Sequence, residues 1–248
     1  MSTTFRRLIV IPAYNEERSL ACTIEKLASL PESFDVVVVN DGSSDGTSSI
    51  AHDLAASWNG RLHIIDLPLN GGIGVAVQTG YRFAESKGIY DYVVQHDADG
   101  QHESADIVSL VDYCQTHQLD LGIGSRFLPT EHNGFRSTRL RRMGIRFLSG
   151  LIGTLAGQSA SDPTSGFRCA GPRAWQRFAE HYPDDYPEPE SLYWLLRNGL
   201  RVGETSVRMH ARQGGESSIG ATRAVYYMAK VTLAICVDML RPKEQTLT

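Results

Sequence analysis

Residues 36–39 are four consecutive valines, framed as FDVVVVN over residues 34–40. A strand open to water on one face alternates apolar and polar residues, because successive side chains point to opposite faces. An unbroken apolar run instead predicts a strand covered on both faces, the condition of a strand inside a parallel sheet. Parallel neighbours need crossover connections, and these are normally helices laid over the sheet. The first half of the chain supplies them. Strand-like runs at Leu8–Ala13, Asp35–Asn40, Leu62–Asp66, Tyr90–Asp97 and Leu119–Arg126 alternate with helix-spaced segments at Glu17–Leu30, Thr47–Ala56, Val75–Lys87 and Ser104–His117. Leu20, Ile24, Leu27 and Leu30 keep the three- and four-residue spacing of one helix face. Gly88 stands where a helix C-terminus ends, and Ser104 where an N-cap belongs. The expectation is an α/β fold with one mostly parallel sheet flanked by helices.

Beyond Arg126 the pattern loosens. Residues 127–138 read as a loop and 139–156 as a helix. A proline-rich turn at 183–190 leads into a helix through Asn198 that Gly199 ends. A strand at Val202–Met209 and a last helix at 221–240 follow. No repeat, low-complexity tract or Pro/Gly-rich linker divides the chain. One domain is expected over residues 1–220, with 221–248 a C-terminal helix and tail that joins it or faces a membrane or partner. A chain of 248 residues can bury a full core without staples. Its net charge of -4 speaks against a general nucleic-acid partner. Cys22, Cys114, Cys169 and Cys236 are too scattered for a zinc or redox motif and read as free thiols. The LIVIPAY run is too short for a secretory leader, and no apolar stretch reaches the roughly 18 residues of a membrane span.

In open α/β sheets ligands bind outside the carboxyl ends of the strands. Each early strand here is followed by a polar or glycine-rich cluster: Pro12 to Glu16, Asn40 to Thr47, Asn70 to Gly74, and Asp97-Ala98-Asp99-Gly100. The last is the most informative. Asp97 and Asp99 are two residues apart after an apolar strand, where they form a place for a hard divalent cation shared with a substrate diphosphate. The same residues can also form an ordinary Asx turn, and both readings stay open. A calcium loop fails, because Gly100 stands fourth from Asp97 and that loop needs glycine sixth. Asp41 can accept from a base or a ribose hydroxyl, or serve a turn. Tyr14 offers a face for stacking, and Glu16 can bond a ribose or cap the next helix. Gly71-Gly72-Ile73-Gly74 follows the third strand with the wrong spacing for a dinucleotide fingerprint, and no Walker lysine is present.

Later clusters are less specific alone. Residues 162–168, DPTSGFR, form a compact polar turn that could line an acceptor site or only shape a loop. Arg212 to Ser218 pairs an arginine with hydroxyl-rich backbone suited to phosphate. Between Phe135 and Phe147, Arg136, Arg139, Arg141, Arg142 and Arg146 interleave with Leu140, Met143, Ile145 and Phe147. Such a stretch binds phosphate, lies on an anionic bilayer, or is a solvated helix face. Arg223, Lys230 and Asp238 interrupt the last helix, which could lie at an interface or pack in a homodimer.

Taken together, IPAYNE at 11–16, VVVVNDGSSDGT at 36–47, NGGIGVAVQTG at 70–80, HDADGQH at 96–102, GSRF at 124–127, DPTSGFR at 162–168 and RQGGESS at 212–218 run in one order. In this they resemble the family 2 glycosyltransferases of GT-A fold, nearest the polyprenyl-phosphate (dolichyl-phosphate mannose synthase-like) branch. The resemblance implies a Rossmann-like sheet and a nucleotide-diphospho-sugar donor. It implies that Pro12, Tyr14, Glu16, Asp41 and Gly71 hold the nucleoside end. Asp97, Ala98 and Asp99 meet the diphosphate, with Mg2+ or Mn2+ on Asp97, Asp99 and Gln101. Arg126 lies near the transferred sugar and acceptor phosphate, and Arg212 and Ser217 close over the diphosphate. Ser218 stands where the branch often has lysine. The family's Glu-Asp base position reads Pro-Glu-Pro-Glu-Ser here.

The expected activity is inverting, metal-dependent transfer of a hexosyl group to a polyprenyl phosphate in cell-envelope polysaccharide synthesis. The acceptor oxygen is then already anionic and needs no base. For a hydroxyl acceptor on a lipid-linked glycan or polysaccharide, Glu188 or Glu190 would take the proton. Nucleotidyl transfer, and a non-catalytic nucleotide-sugar-binding subunit serving a membrane protein, are the competing classes. The donor pool implies a cytoplasmic site, peripheral at the inner membrane face.

Overall fold

The computed structural model describes residues 5–128, 139–207 and 221–243. In chain order the elements are β1 (Arg7–Ala13), α1 (Leu20–Leu27), β2 (Phe34–Asn40), α2 (Thr47–Ala55), β3 (Leu62–Asp66), α3 (Ile73–Lys87), β4 (Tyr92–Gln95) and α4 (Ser104–His117). They continue with β5 (Leu121–Ser125), α5 (Arg139–Ala156), β6 (Arg168–Ala170), α6 (Pro172–Glu180), α7 (Pro187–Arg197), β7 (Val202–Ser206) and α8 (Ala221–Leu240). The strands form one sheet in the order β3-β2-β1-β4-β6-β5-β7. Only β6 is antiparallel, to β4 on one side and β5 on the other.

The four valines divide between two cores. Val36 and Val38 join α1, α2 and α4 on one face of the sheet, while Val37 and Val39 join α3 and α5 to α8 on the other. All four are buried, each worth roughly 2 kcal/mol of apolar transfer. β1 is interior, yet it contains Pro12, which has no N–H for a ladder. Pairing between β1 and β4 stops at Val10–Gln95, so the proline falls where that ladder has already ended.

That early end also shortens β4 relative to the expected Tyr90–Asp97, and places both aspartates in the turn beyond it. α1 occupies only the middle of the expected Glu17–Leu30. Gly88 and Gly199 end their helices as expected, with φ of 62° and 76°. Ser104 does not cap α4: Glu103 holds the cap position in extended backbone, and Ser104 is the first helical residue. β6 and α6 were not expected. β6 is three residues long and opens on Arg168, whose charge hides the strand pattern. The predicted ends of the loop at 129–138 and of the strand at 208–209 lie outside the described residues. The four thiols are free, with Cys114 and Cys169 buried. Among the described residues no helix is long and apolar enough to cross a membrane.

Candidate active site

At the carboxyl ends of β1, β2 and β4 lies a cavity of about 380 Å3 lined by Pro12, Ala13, Tyr14, Glu16, Asp41, Asn70, Gly72, Ile73, Ala76, Asp97, Ala98 and Asp99. Every parallel strand delivers its following turn to this same edge, so the clusters after separate strands meet. Tyr14 is half exposed at the rim, with its ring open to a planar partner. Asp41 is buried and already at work in the fold: Oδ1 accepts the Gly71 N–H at 2.8 Å and Oδ2 the Gly72 N–H at 2.9 Å. It thereby fixes the glycine loop along one cavity wall. Gly71 does not itself line the cavity and enters through that bond. Glu16 bonds locally, its Oε2 accepting the Ser19 hydroxyl at 2.5 Å. Asp45 accepts the Thr47 N–H at 3.0 Å at the start of α2.

A second buttress holds the glycine loop from behind. The Gly74 N–H donates to the Asp184 carbonyl at 3.0 Å. A Cβ on Gly74 would lie 2.0 Å from the Pro183 carbonyl oxygen, so only glycine admits this approach. Asp185 in the same turn pairs with Lys230 of α8.

The aspartate turn is anchored from α1. Thr23 donates its hydroxyl to the Ala98 carbonyl at 2.9 Å, and Lys26 its ammonium to the Gly100 carbonyl at 3.1 Å. Asp99 is buried and accepts the Gln101 N–H at 3.1 Å, so the Asx turn exists and the carboxylate still lines the cavity. Gln101 enters here through its backbone. Behind the turn, His102 stacks on Phe167 at 4.4 Å and His96 meets the same ring edge-on. Burial first, then His102, pushes the pKa of His96 down to about 3, so the ring stays neutral. Among the described residues no group of three or more His, Cys, Asp or Glu could hold a metal alone. The two carboxylates are a hard, all-oxygen donor set, which fits Mg2+ or Mn2+ with the remaining positions left to water and phosphate.

Beside the cavity, outside the residues that line it, stands the 161–168 turn. Asp162, fully buried, takes Arg126 in a two-pronged pair, Nε to Oδ2 at 2.6 Å and Nη2 to Oδ1 at 2.7 Å. Thr164 accepts from the same Nη2 at 2.9 Å. Burial opposes the charge of Arg126, but the Asp162 pair, with Asp97 and Glu188 behind it, raises the pKa above its ordinary value. Gly166 lies against the aspartate turn: a Cβ there would stand 3.1 Å from Asp97 Oδ1 and 3.3 Å from Gln95 Nε2. Arg168 is buried and donates to the Ser165 and Pro163 carbonyls and the Ser191 hydroxyl, which folds the turn around its guanidinium.

Glu188 and Glu190 part company. Two residues apart on α7, they face different ways. Glu188 accepts from Gln95 Nε2 at 3.4 Å and feels Arg168 and Arg126. Burial raises its pKa, against the pull of those cations. Glu190 also has a raised pKa, from burial and then Asp238, with Arg241 and Lys230 opposing; its surroundings belong to α8. The structure thus brings Glu188 to Gln95, where it feels Arg168 and Arg126, and turns Glu190 toward α8. Arg212 and Ser217 lie outside the described residues. Ala13, Asn70, Gly72, Ile73 and Ala76 also line the cavity; the first four sit in the polar and glycine-rich clusters after β1 and β3, and Ala76 in the NGGIGVAVQTG stretch, but the sequence gives none of them a role of its own. Asp162 and Gly166 were visible only as parts of DPTSGFR, and nothing in the sequence singles out Thr23 or Lys26.

A mixed sheet with two carboxylates and a cavity of about 380 Å3 at the strand ends is the arrangement expected of a glycosyltransferase of GT-A fold. The sequence pattern of glycosyl transferase family 2 matches residues 8–180, and the chain belongs to that family. It is 28% identical over 232 residues to a polyprenol monophosphomannose synthase of Mycolicibacterium smegmatis, covering 92% of this chain and 86% of that one. Over 125 residues it is 40% identical to an undecaprenyl-phosphate mannosyltransferase of Micrococcus luteus, covering 50% of this chain and 49% of that one. In fold it is similar to glucosyl-3-phosphoglycerate synthase from Mycobacterium tuberculosis, solved with Mn2+, UDP and phosphoglyceric acid. The TM-score is 0.71 at 16% identity, over 96% of this chain and 80% of that one.

Proposed function

We propose that this glycosyltransferase moves a sugar, with inversion, from a nucleotide-diphospho-sugar to a polyprenyl phosphate. The observation that carries the reading is the placement of a fixed cation, Arg126, in electrostatic reach of Asp97, which lines the donor cavity. The names of the mycobacterial and micrococcal relatives, both polyprenyl-phosphate enzymes, support the same acceptor class.

Tyr14 and the Asp41-braced glycine loop receive the nucleoside, and the diphosphate faces Asp97 and Asp99. Mg2+ or Mn2+ would be held by those two carboxylates, with Gln101 beside them, and when bound offsets the charge on the departing diphosphate. An acceptor phosphate oxygen bonds to the anomeric carbon from the face opposite the leaving group, as the bond from that carbon to the nucleoside diphosphate breaks. No proton moves, because the attacking oxygen is already anionic. Arg126, oriented by Asp162, holds the acceptor phosphate against the sugar, so that positioning and fixed charge do most of the work.

A lipid-borne acceptor needs a surface to arrive on. α5 exposes Arg141, Arg142 and Arg146 together with Met143 and Phe147. α8 packs beside it and exposes Tyr226, Leu233, Val237 and Leu240 at helical spacing along one stripe. Exposed basic and apolar side chains on two packed helices suit the headgroup region of an anionic bilayer. This supports a peripheral position at the inner face of the membrane, with the 221–248 segment facing it.

A second reading, transfer to a sugar hydroxyl, is favoured by one observation: Glu188 sits beside Gln95 and Arg126 with a raised pKa, as a general base would. Incubation with UDP-, GDP- and dTDP-sugars, Mn2+ and a polyprenyl phosphate decides. The proposal expects a glycosylated lipid phosphate and a free nucleoside diphosphate. Donor binding without transfer to the lipid, or transfer only to a glycan, refutes it.

A further inference from the structure

We propose that Glu204 is a positioning residue that sets the guanidinium of Arg126 through the 161–162 turn; the inference rests on the acceptor role given to Arg126 above. Glu204 lies on β7, the edge strand of the sheet, and touches none of the cavity residues. Its carboxylate nevertheless organises the 161–162 turn beside the cavity. Oε2 accepts the Ser161 N–H at 2.6 Å, Oε1 accepts the Asp162 N–H at 2.9 Å, and Oε1 also accepts the Ser161 hydroxyl at 3.2 Å. Two successive backbone N–H groups thus converge on one carboxylate, an arrangement that binds anions well. Charge-assisted bonds of this kind are stronger than neutral ones and fix direction as well as distance.

The next link is Asp162. Its own N–H is tied to Glu204, which holds the backbone from which its side chain reaches Arg126. It takes the Nε and Nη2 edge of that guanidinium, and a further bond runs from the Arg126 N–H to Asp162 Oδ2 at 3.2 Å. The Ser161 hydroxyl also lies 2.7 Å from the Ser125 hydroxyl, at the end of β5 immediately before Arg126. The register β5–β7 pairs Ile123 with Glu204, so the sheet itself sets the carboxylate two residues short of the strand end that presents Arg126. Glu204 therefore reaches the arginine by two routes, through Asp162 and through Ser161 and Ser125. A carboxylate placed only to stabilise an edge strand would have no reason to hold both.

The test uses the full chain, Mn2+, the sugar donor that proves active, and a short-chain polyprenyl phosphate. Glu204→Gln keeps the size of the side chain but turns one acceptor into a donor facing an N–H. It is expected to lower kcat/KM for the lipid phosphate about tenfold, while Mn2+-dependent binding of the nucleoside diphosphate stays within about twofold. Arg126→Lys breaks the two-pronged pair, and adding Glu204→Gln to it is expected to cost little more, since both act through one guanidinium. Glu204→Asp keeps the charge on a shorter arm, is expected to fall between wild type and Glu204→Gln, and serves as the readout should the glutamine variant not fold. The proposal is overturned if these variants match wild type, if their losses add fully to that of Arg126→Lys, or if donor binding falls in step with transfer. An impaired Arg126→Lys beside a normal Glu204→Gln refutes only the role of Glu204. A normal Arg126→Lys refutes the reading of the arginine as well.

Discussion

On the proposed function the site has a donor wall, which lines the cavity, and an acceptor wall beside it that supplies none of the lining residues; the two are assembled by different means. The donor wall is made of turns that follow β1, β2, β3 and β4, each delivering its polar residues within a few positions of its own strand end. Its turns are tied to one another and to α1, as Asp41 to Gly71 across 30 residues and Thr23 to Ala98 across 75. The acceptor wall is assembled by insertion of the short antiparallel β6 between β4 and β5. Its ties are long, as Gln95 to Glu188 across 93 residues and Ser161 to Glu204 across 43. A wall made of repeated strand–turn–helix units advertises itself in local sequence, whereas a wall made by one strand returning against the grain does not.

The largest expected effect falls on the donor wall. Asp99→Ala removes a buried carboxylate from the cavity floor without touching either core. We expect transfer to fall about a thousandfold, equivalent to ~4 kcal/mol of transition-state stabilisation, with the thermal melt little changed. Initial rates with Mn2+ over a range of donor concentrations check this. A variant that turns over normally would move the metal elsewhere and dissolve the contrast between the walls.

Next comes Gly74→Ala, on the donor wall. The added methyl meets the carbonyls of Pro183 and Asp184 at 2.0 and 2.3 Å, and backbone cannot swing aside as a side chain can. A loss of about 3 kcal/mol in unfolding free energy is expected from such overpacking, measurable as a lower urea midpoint. Gly166→Ala, on the acceptor wall, meets the far end of the Asp97 carboxylate at 3.1 Å, and that end can yield by a few tenths of an ångström. It is expected to cost under ~1 kcal/mol of stability but to weaken Mn2+-dependent nucleotide binding several-fold, read by calorimetry. Were Gly166→Ala to unfold the protein and leave binding intact, the turn would be scaffold and not part of the site.

These substitutions also mark what could be read from sequence. The valine run, the alternation of elements and the polar clusters at one sheet edge carried the sheet and the donor wall, because periodicity and turn chemistry are local signals. DPTSGFR was visible as a polar turn, but its division of labour was not. Asp162 serves Arg126, Gly166 serves Asp97, and Arg168 folds the turn itself, and each partner comes from another strand. β6 escaped because three residues headed by an arginine match no strand pattern. Glu188 and Glu190 looked equivalent in Pro-Glu-Pro-Glu, since only the rotation of α7 shows that one faces Arg126 and the other faces Asp238 and Arg241.

That rotation gives the finest test. For a lipid-phosphate acceptor, Glu188→Gln should leave turnover within about threefold, whereas loss of a general base costs on the order of a hundredfold or more. Glu190→Gln should be silent in either case. The stability of the Glu188 variant then reports on its surroundings independently of catalysis. Burial raises the pKa of this carboxyl, so the folded protein prefers it protonated. Its contribution to stability is complete below the ordinary carboxylate pKa and is lost as the pH rises through the higher folded value. Glutamine never ionises. Glu188→Gln should therefore melt with wild type in acid and above it near neutrality, the gap opening as the pH climbs through that interval. A gap that stays constant with pH would mean that Arg168 and Arg126 compensate the charge fully, and Glu188 would then belong to the acceptor wall as a paired anion, poised no differently from Asp162.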